Sequence, residues 1–128
     1  GAICLSPLAD LELTGASAAG GVDDPMVERE GTLMMAEAYL QGTDPNEPRA
    51  SPIHADFSGL PPLMIEVGTR ELLLDDARRV ATKAMGAGVD VTLYEADGLT
   101  HVWQMHPHLP ESAESLERIT HFVKKYLR

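Results

Sequence analysis

Cysteine is nearly missing from this chain. Cys4 is the only one, so no internal disulfide can brace the fold. It sits inside an apolar run, which reads as a buried, inert thiol. Basic residues are few as well: 10 Lys and Arg stand against 20 Asp and Glu, a formal net charge of −10. That balance excludes nucleic acid and an anionic membrane surface as partners, because phosphate binding needs clustered cations. What it favours is solubility. No apolar run approaches the roughly 20 residues that span a bilayer. The N-terminus has no basic segment leading into an apolar stretch, so no secretory signal is visible and a cytoplasmic location is expected. Internal repeats and low-complexity tracts are lacking. So is a serine elbow, Gly-x-Ser-x-Gly between a strand and a helix.

What is present suits one domain or part of one: 128 residues with an ordinary apolar share of 44%. Residues 2–5 read as a short apolar strand already in progress, which implies that upstream sequence is missing. Residues 6–24 are rich in small and polar residues and read as a loop. Asp23-Asp24-Pro25 predicts a helix start, with Met26, Glu30, Leu33, Met34, Ala38 and Tyr39 at helical spacing and Gly42 as the stop. Met34 and Met35 read as core or as the lining of an apolar cleft. Residues 44–48 are a second loop, and Ser51-Pro52 to Pro61-Pro62 is extended or turn-like.

The second half is more regular. Leu63 to Val67 predicts a buried strand that exits at Gly68. Asp75 or Asp76 opens a helix whose face carries Ala77, Val80, Ala81, Ala84 and Met85, ended by Gly86 and Gly88. Val89 to Glu95 alternates as a half-covered strand does. A last helix after Leu109-Pro110-Glu111 carries Leu116, Ile119, Phe122, Val123, Tyr126 and Leu127 as an apolar stripe, with Lys124, Lys125 and Arg128 at its negative end. Strand and helix in alternation predict an α/β fold of about three parallel strands with flanking helices and right-handed crossovers.

Two residues then stand out. Glu71 follows one strand and His101 follows the next, so a parallel sheet brings both to the same edge, where open α/β sheets place their chemistry. An acid that orients a histidine is two thirds of a Ser-acid-His triad. Each also has a plainer explanation on spacing alone. A Glu after a strand is more often solvated or capping, and a single His in a glycine-containing loop is more often structural. Asp75 and Asp76 compete for the acid's place, although carboxylates in a first helical turn chiefly serve the helix dipole. Ser17, in Gly15-Ala16-Ser17-Ala18-Ala19, is the nearest approach to a nucleophile. The segment before it is too short and polar to be a central strand, and no helix follows directly, so it is rejected. Ser6, Ser51 and Ser58 read as turn residues. His101, His106, His108 and Glu111 lack helical ligand spacing, and no metal or cofactor is expected.

The chain resembles the C-terminal portion of the hormone-sensitive-lipase-like carboxylesterases, the bacterial family IV lipolytic enzymes of the α/β-hydrolase fold. The stretches that carry the resemblance are Leu5-Ser6-Pro7-Leu8-Ala9-Asp10-Leu11, Tyr39 to Pro45, Ala50-Ser51-Pro52-Ile53, Gly59 to Leu63, Val67-Gly68-Thr69-Arg70-Glu71 through Asp76, and Gly98-Leu99-Thr100-His101-Val102-Trp103-Gln104. The resemblance implies that Glu71 is the triad acid and His101 the base, with Trp103 close to the histidine loop. Arg70 departs from the pattern, standing where Asp is common. Residues 10–44 align with an excursion toward the acyl pocket. The oxyanion loop and the serine elbow of the family lie upstream of residue 1. The parent enzyme is therefore expected to cleave short or medium acyl esters, and this chain alone to be inactive. Two rival expectations remain. One is a fold fragment that forms a homo-oligomer, or complements an N-terminal half, through an exposed strand edge. The other is a binding module in which Glu71 and His101 lie far apart.

Overall fold

In chain order the elements are β1 (Ala2–Leu5), α1 (Arg29–Leu40), β2 (Leu63–Gly68), α2 (Leu74–Gly86), β3 (Val91–Ala96) and α3 (Pro110–Tyr126). The structure is a computed structural model and describes residues 1–126. The strands form one sheet in the order β1-β2-β3, and both pairings are parallel. In register, Leu63 stands beside Ala2 on one side and Val91 on the other. β2 is buried along its whole length, as a largely apolar run interrupted only by Glu66 demands of a strand covered on both faces.

Alternate residues of β2 serve different layers. Leu63, Ile65 and Val67 pack with Ala77, Val80, Ala81 and Ala84 of α2 in the main core. Small alanines let that helix lie close to the sheet, and each fully buried Ile or Val stabilises by about 1.5–3 kcal/mol. On the opposite face Glu66 meets α3, accepting hydrogen bonds from Arg118 and Ser115. A smaller cluster of Leu13, Ala18, Leu72 and Leu73 lies under α1, with Leu33 packed against it.

Several expected boundaries shift. α1 begins at Arg29, not at Asp24. The Asp24 carboxylate is engaged elsewhere: it accepts from the backbone N–H groups of Met26 and Val27 and from that of Leu72. It therefore caps a turn and ties it to the segment after β2. Within α1 the buried residues are Thr32 and Ala36. Met34 and Met35 are 71% and 66% exposed, and Met26 and Tyr39 are exposed with them, so none of the four is core. Met85 also faces out, and β3 starts at Val91 rather than Val89.

The stripe on α3 departs furthest from expectation. Phe122 is buried, together with Ser112 and Ser115, while Leu116 is 56% exposed and Val123 is open. No element among the described residues covers the outer side of that stripe. Leu127 and Arg128 lie outside the described residues. Lys125 pairs with Asp90 at 3.5 Å. Cys4 is half-buried, and burial pushes its thiol up from the usual range, as suits an unreactive group.

Candidate active site

The three strands end at one edge of the sheet, and the site is assembled from the residues just past those ends. Ser6 follows β1, Gly68 closes β2 with Glu71 in the turn after it, and His101 lies in the loop after β3. The Glu71 carboxylate has no exposed surface. Its Oε2 lies 3.1 Å from His101 Nδ1. Its Oε1 accepts from the Gly68 N–H at 2.6 Å and from the Ser6 hydroxyl at 2.8 Å. Three donors thus converge on one buried carboxylate and satisfy it.

With Glu71 as a carboxylate, the bond to the ring puts the imidazole proton on Nδ1. A neutral ring then carries its free pair on Nε2. Among the described residues no side chain hydrogen-bonds Nε2. The His101 side chain is 30% exposed while its partner is sealed, so the pair is fixed from behind and reachable from the front.

Gly68 has a steric reason to be glycine. A Cβ there would come within 2.2 Å of the Leu99 carbonyl oxygen and 3.0 Å of Glu71 Oε1. The same carbonyl accepts from the Arg70 N–H at 3.1 Å, which draws the histidine loop against the acid's turn. Arg70 itself points away and pairs with Asp23 at 3.4 Å across the surface.

The other candidates have separate duties. Asp75 accepts from the Ser17 N–H at 2.9 Å. Asp76 accepts from the N–H groups of Ala9 and Asp10 at 2.8 and 2.9 Å, and burial, first among the influences on it, raises its carboxyl above the usual range. Neither bonds His101. Ser17 is buried in a one-turn helix over Ser17–Gly21, its hydroxyl donating to the Leu72 carbonyl and accepting from the Asp75 N–H. It is a pin between segments. His106 and His108 stack edge-on at 5.8 Å. Those two rings, His101 and Glu111 do not bring ligand atoms together. Among the described residues the one close trio is Asp10, Glu12 and His54, and Asp10 there is already held by Arg79 and Thr14. Trp103 is fully buried beside the histidine loop, its carbonyl accepting from the Ser112 hydroxyl.

Two residues escaped the sequence reading. Ser6 is more than a turn residue: it is the first residue past β1 at the very edge where Glu71 and His101 emerge, and that position is the signal for it. Glu66 was a lone charge inside an apolar strand. It is fully buried and accepts from Arg118 Nε at 2.8 Å and Gln104 Nε2 at 3.0 Å, besides Ser115. The contact between Glu71 and His101 also removes the expectation, tied to a binding module, that the two lie apart.

Comparison with known proteins agrees with this fold. A family model described as alpha/beta hydrolase fold matches residues 1–105. An acetyl-hydrolase of Streptomyces hygroscopicus is 44% identical over 125 residues, which cover 96% of this chain and 42% of that protein. An esterase of Acinetobacter venetianus is 35% identical over 126 residues, again 96% of this chain and 42% of the other. The crystal structure of an esterase from the bacterial hormone-sensitive lipase family superposes with a TM-score of 0.93 at 45% identity, covering 99% of this chain and 44% of that one. The chain thus spans 42% of the length of these two curated relatives. Among the described residues no helix is long and apolar enough to cross a membrane.

Proposed function

We propose, on the premise that this chain belongs to the α/β-hydrolase fold family and to its hormone-sensitive-lipase-like esterases, that it contributes the acid and the base of a Ser-acid-His triad to a carboxylic-ester hydrolase. The observation that carries the reading is the Glu71–His101 hydrogen bond at 3.1 Å, with the carboxylate sealed and the ring's far edge open. Glu71 holds the imidazole in one tautomer and stabilises its charged form. His101 Nε2 takes the proton of a serine hydroxyl as that oxygen attacks the ester carbonyl, then gives it to the departing alcohol. A water molecule, activated by the same ring, hydrolyses the acyl-enzyme. The serine and the oxyanion donors come from residues outside these 128, and neither a metal nor an organic cofactor takes part. The substrates are short or medium acyl esters, in keeping with the acetyl-hydrolase relative.

Residues 10–44 form the side of the acyl pocket in this reading, with the exposed Met34, Met35 and Tyr39 of α1 as apolar wall. The chain alone does not turn over esters. The test is a chimera in which residues 1–128 replace the matching part of the Streptomyces acetyl-hydrolase. Hydrolysis of p-nitrophenyl acetate that is lost in His101→Ala supports the reading. Equal turnover by the isolated chain, lost in Ser17→Ala, overturns it.

A second reading has its own support. Among the described residues β1 hydrogen-bonds one neighbouring strand, and its period of two points the Ile3 and Leu5 N–H groups at the open edge. Beside that edge Gly1, Ile3, Phe122, Val123 and Tyr126 line an apolar groove. Such an edge pairs with a second copy or with a complementing N-terminal half. A strictly monomeric, well-folded species in light scattering counts against self-association.

A further inference from the structure

Two residues at the strand-end edge have backbones in the left-handed region without being glycine. Ser6 has φ 46° and Val102 has φ 48°. The second is the more telling, because a β-branched side chain rarely adopts that conformation and does so where its surroundings impose it. These two residues are hydrogen-bonded to each other: the Val102 N–H donates to Ser6 Oγ at 3.1 Å. The same hydroxyl donates to Glu71 Oε1 at 2.8 Å. Ser6 is buried, and its own N–H is tied to the Glu66 carbonyl of β2 at 2.8 Å.

We propose that Ser6 is a positioning residue for the Glu71–His101 pair, its hydroxyl clamping the carboxylate and the histidine loop to each other. The inference rests on the triad reading above. A hydroxyl suits the task because it donates once and accepts as well, so one atom can serve both partners. Its donation, with that of the Gly68 N–H, takes up Oε1 and sets the carboxylate's rotation so that Oε2 faces the imidazole. Its acceptance holds Val102, the residue next to His101, in a conformation the chain would otherwise leave. Loss of the hydroxyl frees the carboxylate to turn and lets Val102 relax. Both movements misplace Nδ1 and Oε2 without touching the core.

The test uses the 128-residue chain with 15N-labelled histidine and reads the His101 ring by NMR. In the unmutated chain the ring shows one tautomer, protonated at Nδ1, with a far-downfield Nδ1 proton. Ser6→Ala is expected to abolish that proton signal and mix the tautomers, while the backbone amides of β2 and α2 stay in place. Adding Val102→Gly, which adopts positive φ freely, is expected to restore it in part. An unmutated chain that lacks the signal and matches Glu71→Gln overturns the pairing itself. A signal present in the unmutated chain and unchanged in Ser6→Ala overturns only the role of Ser6. Should Ser6→Ala fail to fold, amide exchange of Val102 in the unmutated chain decides. Protection comparable to the β2 amides supports the clamp, and exchange at the rate of an open loop refutes it.

Discussion

Glu66 and Glu71 are both sealed from solvent, one in the middle of β2 and one just past its end, yet they keep different company. Glu66 meets a guanidinium: Arg118 Nε donates to it at 2.8 Å, and that guanidinium also lies over the Tyr94 ring at 3.6 Å. Glu71 meets a hydroxyl, a backbone amide and an imidazole. A guanidinium keeps its charge at any pH a protein survives, whereas an imidazole can gain and lose a proton near neutrality. A buried carboxylate with a permanent counter-ion is part of the scaffold. One bonded to a ring that can change its charge suits the proposed role of orienting that ring and stabilising its charged form.

The largest test of that contrast is kinetic. In the chimera, Glu71→Gln is expected to lower kcat for p-nitrophenyl acetate by about 10⁴-fold, as losing the orienting acid does in a serine triad. Glu66→Gln is expected to change it by less than about 10-fold, since it acts only through the scaffold. Comparable losses from both would erase the distinction.

The next test is thermodynamic and runs the other way. Glu66→Ala leaves the partly buried Arg118 with only the more distant Glu114 carboxylate at 4.0 Å and is expected to cost about 3–5 kcal/mol in urea unfolding of the chain. Glu71→Ala leaves neutral donors unpaired and is expected to cost less, about 1–3 kcal/mol. The reverse order would break the comparison. Gly68→Ala sharpens it, because its added Cβ meets the Leu99 carbonyl and the Glu71 carboxylate but nothing around Glu66. It is expected to cost about 1–3 kcal/mol through overpacking, and to disturb the His101 ring signals while those of Arg118 stay put.

The mildest effect is one of pH. Asp10 is a third buried carboxylate and, like Glu66, is held by a cation, Arg79 Nη1 at 2.8 Å. Burial works against its ionisation, but hydrogen bonds from Thr14, Arg79 and the backbone outweigh it and bring its carboxyl from 3.8 down to about 2. A value lowered by folding stabilises the native state above the ordinary value, and that stability is lost as pH falls through the window toward about pH 2. Asp76, raised by burial, acts oppositely and weakens the native state as pH climbs through its own window above 3.8. Asp10→Asn is therefore expected to lower the thermal midpoint at neutral pH and to flatten its decline between about pH 4 and pH 2. A decline as steep as the parent's would show that the hydrogen bonds from Thr14, Arg79 and the backbone do no such work.

The sequence carried much of this in its periods. β2, α2 and the parallel order were legible because a mostly apolar run and an alanine-rich helical face each have one economical way to be buried. Glu71 and His101 were legible as neighbours because parallel strands deliver their exits to one edge. The start of α1 was not, since Asp24 makes a turn and a long-range bond to Leu72 that no local pattern announces. The outward Met34 and Leu116 were not, since an apolar stripe states that a face seeks cover without stating what supplies it.

On its own, then, the amino-acid order determined which segments become strands and helices, and that an acid and an imidazole leave the sheet side by side, because spacing along the chain sets which face or end a residue occupies. Only the tertiary structure decided that Ser6 joins that pair, that Arg118 neutralises Glu66, and that Ser17 is a pin. Those outcomes hang on partners up to 96 positions apart, and contacts over such distances exist only once the surfaces have met.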